Sequence, residues 1–126
     1  MSKKIVIVED HPAVRRVLTL SLRQRGYEIL EASTGGSGIA LAAEENPDLV
    51  LLDLSLPDFS GLEIAKTIKQ NPETASIPIV ALSGCTEREL AVKSFEVGVA
   101  AYLTKPADTQ DLVNVIENLT ESRSLA

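Results

Sequence analysis

Five side chains stand out because their types could act together: Glu9, Asp10, Asp53, Ser83 and Lys105. Each lies at the end of a short run of β-type residues. Glu9-Asp10 follows IVIV (Ile5–Val8), Asp53 follows Leu49–Leu52, Ser83 closes IPIVALS (Ile77–Ser83), and Lys105 follows AAYLT (Ala100–Thr104). Three carboxylates brought to one place raise one another's pKa and repel unless positive charge intervenes. One lysine cannot balance three acids, so a divalent cation is implied. An all-oxygen, sulfur-free donor set points to magnesium, which keeps several waters and often shares its shell with phosphate. Calcium or manganese could substitute in a test tube. A carboxylate held against such a cation can attack phosphorus, while a lysine and a hydroxyl stabilise charge on the transferring oxygens. Every residue type in the set then has a task in phosphoryl transfer through an aspartyl phosphate.

The elements between these residues supply the means of convergence. After the first β-type run, Pro12 opens a helix in which Val14, Val17, Leu18 and Leu22 share a face, and Gly26 closes it as a left-handed cap. YEILEA (Tyr27–Ala32) reads as a second strand and Gly35–Glu45 as a second helix, with Ile39, Leu41 and Ala42 free to pack. DLVLLDL (Asp48–Leu54) is a third strand. Ser60-x-x-Glu63 is a capping box opening a third helix, which Asn71-Pro72 ends. Thr86-x-x-Glu89 opens a fourth helix running to about Gly98, and a last helix runs from Asp108 to about Leu119 with Leu112, Val115, Ile116 and Leu119 on one face. The first, third and fourth strands are apolar without alternation, as expected of parallel strands buried on both faces. Five strands alternating with five helices predict an α/β, doubly wound, five-stranded parallel sheet of flavodoxin-like order 2-1-3-4-5. In that order, groups at the carboxyl ends of the first, third, fourth and fifth strands are neighbours.

Length and composition set the frame. A chain of 126 residues, 44% hydrophobic and 24% charged, suits one globular domain with a real core. The expectation is a single domain over 1–126, with its core at about 4–119 and a short tail at 120–126. A lone cysteine allows no internal disulfide. Twelve basic and eighteen acidic residues give a net charge of −6 with no Lys/Arg run, which argues against direct nucleic-acid binding. The apolar stretch in MSKKIVIVED is too short for a signal peptide or a membrane span, so a cytoplasmic address without membrane attachment is expected.

From Lys4 to about Leu119 the chain resembles a receiver domain of the two-component response-regulator family. IVIVED resembles the family's acidic first strand. DLVLLDLSLPDFSGLE resembles the phosphoacceptor strand and loop, with Pro57 and Gly61–Glu63 in register. IPIVALSG resembles the strand with the switch hydroxyl, and AAYLTKP the strand with the aromatic switch and the lysine. The resemblance implies that Asp53 is the phosphoacceptor. It implies that Asp10 binds magnesium directly, Glu9 acts through water, and the Ser55 backbone carbonyl completes the protein ligands. Lys105 would pair with the phosphoryl group, Ser83 would hydrogen-bond it, and Tyr102 would swing inward as Ser83 moves. The Lys105–Pro106 bond is cis in the family. The implied partners are a sensor histidine kinase or histidine phosphotransfer protein as donor, and an output protein read through the fourth helix, fifth strand and fifth helix. A phosphorylation-dependent dimer is a further mode of partnering. The chain departs from the commonest pattern at Glu9, where Asp is frequent, at Ser83, where Thr is, and at Gly84, where Ala is.

Blander readings compete for each residue. Strand-end acids commonly cap the following helix, a strand tyrosine is usually half-buried packing, and His11 reads as a loop residue. Cys85 lies in acidic surroundings and reads as inert. TGGSG (Thr34–Gly38) lacks G-x-G-x-x-G spacing and reads as a helix start. An aspartate-nucleophile phosphatase would carry a second aspartate two residues after the nucleophile, where this chain has Ser55. A switch that slowly hydrolyses its own phosphate is therefore expected, not an enzyme acting on outside substrates. A receiver-like binding module that is never phosphorylated would be marked by loss of an acid or the lysine, and all are present.

Overall fold

A computed structural model of the chain describes residues 2–54, 61–84 and 88–125, with side chains of the last helix described to Glu121. The elements are β1 (Lys4–Val8), α1 (Pro12–Gln24), β2 (Glu28–Ala32), α2 (Gly35–Glu45), β3 (Leu49–Asp53), α3 (Gly61–Gln70), β4 (Ile79–Ser83), α4 (Arg88–Glu96), β5 (Ala101–Thr104) and α5 (Thr109–Leu125). The strands form one parallel sheet in the order β2-β1-β3-β4-β5. This is the doubly wound flavodoxin-like arrangement expected from the alternation of elements.

Alternation along each central strand divides the core into two layers. Val6, Val8, Val50, Leu52, Ile79 and Ala81 face one side and pack with Ala42, Ile64 and Ile68 from α2 and α3. Ile5, Ile7, Leu49, Leu51, Val80 and Leu82 face the other and pack with Leu22 of α1 and Leu112 and Ile116 of α5. Strands β3 and β4 are buried along their whole length, whereas β2 and β5 are partly open edges.

Local signals act where the sequence places them. Pro12 sits in the first turn of α1, and Gly26 follows its end at φ 95°. Thr34 caps α2 through Ser37 in a reciprocal box, so TGGSG is a helix start. Gly61 is required sterically: a Cβ there would lie 2.3 Å from Leu54 Cα, where α3 begins against the end of β3. The capping residues expected at Ser60 and Thr86, together with Ser55, Pro57 and Cys85, lie outside the described residues.

Two expectations need correction. Val17 does not join the packed face of α1 and is 63% exposed. The inward stripe is instead Arg15, Leu18, Thr19 and Leu22, spaced i, i+3, i+4, i+7, and Val17 lies on the opposite side of the helical wheel. His11 lies in the loop before α1, as expected, and has a task there. It is the N-cap of α1, its Nδ1 accepting from the Val14 amide at 3.4 Å. The last helix runs on to Leu125, so residues 120–125 are not a tail. No Gly or Pro interrupts it, and buried Thr120 donates its hydroxyl back to the Ile116 carbonyl at 2.7 Å.

Candidate functional site at the carboxyl edge of the sheet

Parallel strands deliver their carboxyl ends to one edge, and the chemistry-bearing residues collect there. Asp53 is the last residue of β3 and Ser83 the last of β4. Glu9 and Asp10 follow β1 directly, and Lys105 follows β5. The Glu9 amide continues the ladder to β2, donating to the Ala32 carbonyl at 3.0 Å. The Lys105 amide does the same to the Ser83 carbonyl at 2.8 Å, which ties the lysine to the end of β4. The Lys105–Pro106 peptide bond is cis.

The side chains then meet. Carboxylate oxygens of Glu9, Asp10 and Asp53 lie within 4.8 Å of one another. Lys105 Nζ donates to Glu9 Oε1 at 2.6 Å and stands 3.4 Å from Asp53 Oδ1. Glu9, Asp53 and Ser83 are all buried, at 1%, 4% and 0% exposure. Tyr102 is half-buried and packs on the layer that contains Ala81, its partner in register across β4. Because Ser83 is two residues beyond Ala81, it shares that face, diagonal to Tyr102. The structure therefore gathers Glu9, Asp10, Asp53 and Lys105 by distance and sets Ser83 and Tyr102 on one face of adjacent strands. Ser55 lies outside the described residues.

The electrostatics of this edge are unbalanced. Burial pushes the Glu9 carboxyl up to about 7, and its contact with Asp53 and the Asp53 charge push the same way against Lys105. Burial alone would lower the Lys105 ammonium. The Glu9 hydrogen bond and the charges of Asp53 and Glu9 outweigh that, and its pKa is raised. Glu9 Oε2 is buried without a hydrogen-bond partner. A buried, unpartnered carboxylate oxygen beside two further carboxylates and a single ammonium is a set of hard donors short of positive charge. It fits a magnesium ion.

One contact was not foreseen. Arg15, one turn into α1, reaches back to the Glu9 carbonyl, its Nη1 donating at 2.8 Å, while its Nε is 3.2 Å from Glu31 Oε1 on β2. The sequence signal was a charged residue at an inward-stripe position of an amphipathic helix, recognisable only once the stripe is known.

Comparison with known proteins agrees with this architecture. The response regulator receiver domain family matches residues 5–117. The phosphate regulon transcriptional regulatory protein PhoB of Pseudomonas aeruginosa is 37% identical over 113 residues, which cover 90% of this chain and 49% of PhoB. The chain thus spans about half the length of that relative. Protein PilH of the same organism is 34% identical, with 90% of this chain and 93% of PilH aligned. The crystal structure of a CheY-like receiver domain protein from Methanospirillum hungatei matches at a TM-score of 0.89 and 32% identity, over 100% of both chains. A doubly wound sheet with an acidic carboxyl edge, matched along nearly its whole length by this family, places the chain among the response-regulator receiver domains of two-component systems.

Proposed function

We propose that this receiver accepts a phosphoryl group on Asp53 from a phosphohistidine donor and that the adduct shifts a conformational equilibrium read by an output protein. The observation that carries this reading is the meeting of Glu9, Asp10, Asp53 and Lys105 within one buried-edge cluster. Glu9, Asp10, Asp53 and the Ser55 carbonyl would hold magnesium. The ion, when bound, supplies neutralising charge to the phosphoryl oxygens.

The chain's own residues account for the rest. Asp53 sits at the end of a fully buried strand, so its carboxylate is fixed at the mouth of the pocket and offers an oxygen to phosphorus along a defined direction. Lys105 already touches two of the acids and can move its hydrogen bonds to a phosphoryl oxygen on Asp53. Ser83, at the end of the neighbouring strand, presents a hydroxyl at the same edge, and its displacement would alter the packing of Tyr102. A two-state equilibrium moved from 1:99 to 99:1 requires about 5.5 kcal/mol of differential stabilisation, which new charge-assisted bonds to Lys105 and Ser83 could supply. The exposed Val92 and Phe95 on α4 offer the output partner an apolar surface that such a shift can remodel. The donor approaches beside the site, where an open apolar groove of about 510 Å³ runs between Val14 and Val17 of α1 and Pro106. Water reaching Asp53 slowly removes the phosphoryl group, and no outside substrate is turned over.

Incubation with acetyl phosphate and magnesium, followed by intact-protein mass spectrometry, tests the reading. One base-labile phosphoryl adduct is expected, absent from Asp53→Asn and reduced when the metal is chelated. An equal yield in Asp53→Asn contradicts it.

A further inference from the structure

We propose that Arg15 is a positioning residue for the acidic pair, holding the Glu9–Asp10 turn in the geometry that binds the divalent cation, and that Glu31 orients Arg15 for this task. The inference rests on the phosphoacceptor reading above and concerns residues that do not touch the reacting atoms.

The argument starts from α1. A charged side chain at an inward-stripe position of an amphipathic helix needs partners, since burial without hydrogen bonds is costly. Arg15 is 20% exposed by its side chain, whereas its neighbour Arg16 is 59% exposed. Its two partners are Glu31 in β2 and Glu9 directly after β1. Nη1 donates to the Glu9 carbonyl at 2.8 Å, and Nε donates to Glu31 Oε1 at 3.2 Å. A guanidinium presents these donors in one rigid plane, so fixing one bond fixes the direction of the other.

The consequence falls on Glu9. Its amide is tied to the Ala32 carbonyl at the end of β2, its carbonyl to Arg15, and its carboxylate to Lys105. The carbonyl belongs to the peptide plane joining Glu9 to Asp10, so the Arg15 bond sets the rotation of that plane and hence where the Asp10 side chain starts. Without it, the turn between β1 and α1 keeps the Arg15 amide bond to the His11 carbonyl at 2.9 Å and the His11 cap, neither of which holds the Glu9 carbonyl. Outer-shell groups that orient metal ligands typically alter metal affinity by about 10–100-fold when removed.

The test is a calorimetric magnesium titration of the full chain, its variants and Asp53→Asn, with thermal melts of the metal-free proteins alongside. Arg15→Met preserves helix propensity and is expected to weaken magnesium binding about 10-fold or more. Glu31→Gln should shift affinity in the same direction by less, and Arg15→Lys should fall between Arg15→Met and the parent, because one ammonium cannot serve both partners in that plane. At saturating magnesium the adduct on Asp53 should return to parental yield, a recovery that a merely destabilised fold does not show. Magnesium affinities of Arg15→Met and Glu31→Gln within twofold of the parent overturn the proposal, and should Arg15→Met not fold, Glu31→Gln decides alone. A parent that binds no magnesium fails the phosphoacceptor reading itself, so the two failures are distinct.

Discussion

The two ends of the sheet are built from nearly the same parts and behave in opposite ways. At the carboxyl edge, Glu9 is buried, bonded to Lys105 through one oxygen, and left with the other unpartnered. Its pKa is pushed up to about 7, by burial first. At the amino edge, Glu117 of α5 accepts from the Tyr27 hydroxyl at 2.6 Å and pairs with Lys3 at 3.1 Å, with its side chain 49% exposed. Those hydrogen bonds hold its pKa below the usual carboxylate range, and the bond to Glu117 pushes the Tyr27 hydroxyl, itself raised mainly by burial, higher still. One carboxylate with a lysine and a hydroxyl thus makes a satisfied clamp at one end, and three carboxylates with a lysine make an unsatisfied pocket at the other. The difference lies in burial and in the number of acids. It teaches that the carboxyl edge carries a stability deficit which a bound cation is suited to relieve.

Breaking the pocket should have the largest effect. Glu9→Gln is expected to weaken magnesium binding by about 10–100-fold, read by calorimetry. In the metal-free protein at pH 8 the same change should raise stability by about 1–3 kcal/mol, because an unpartnered buried charge is removed while a hydrogen bond to Lys105 is kept. Denaturant melts check this, and a destabilised Glu9→Gln would count against the contrast.

The pH dependence should have opposite signs at the two ends. Glu9 has a folded pKa raised from 4.5 to about 7, so the folded state binds its proton more tightly. Its contribution is fully present below pH 4.5 and is lost as pH rises through about 7. Glu117 has a depressed pKa, so its contribution is present above its unfolded pKa and is lost as pH falls. Melts of the metal-free protein should show, between pH 4 and 8, a falling component that disappears in Glu9→Gln, and, as pH is taken from 4.5 down to about 2, an acid-side loss that diminishes in Glu117→Gln.

Smaller effects sharpen the comparison. Tyr27→Phe removes the hydroxyl from the amino-edge clamp and should cost about 1 kcal/mol while leaving magnesium affinity unchanged. Thr19 provides a control for buried, unpartnered oxygens that serve no site. It is fully buried in α1 with its hydroxyl unbonded. Thr19→Val should stabilise the fold by up to about 1 kcal/mol with no change in metal binding or phosphorylation.

How much of this was legible in the sequence follows from the range of each interaction. Apolar runs without alternation marked β1, β3 and β4 as central, because burial on both faces leaves no polar position. Asp53 was legible because it interrupts such a run, and Lys105 because it directly follows the β-type run AAYLT. The face of α1 was misjudged because its apolar residues span a wide arc, and the choice between Val17 and Thr19 depends on how the helix is rotated against the sheet. Arg15 turns inward to meet Glu9 and Glu31, which no local pattern shows. The Tyr27–Glu117 bond joins residues 90 apart in sequence and required the fold itself. The cap at His11 was missed because histidine is not among the preferred capping residues.

On the proposed reading one carboxylate, Asp53, receives the phosphoryl group while its neighbours only hold and balance charge. Borohydride reduction of the acetyl phosphate-treated protein, followed by peptide sequencing, tests it most directly, because reduction converts an aspartyl phosphate to homoserine in place. Homoserine at position 53 and at no other acid of the cluster is the predicted result. A reduced residue at position 10 or position 9, with Asp53 intact, would contradict it.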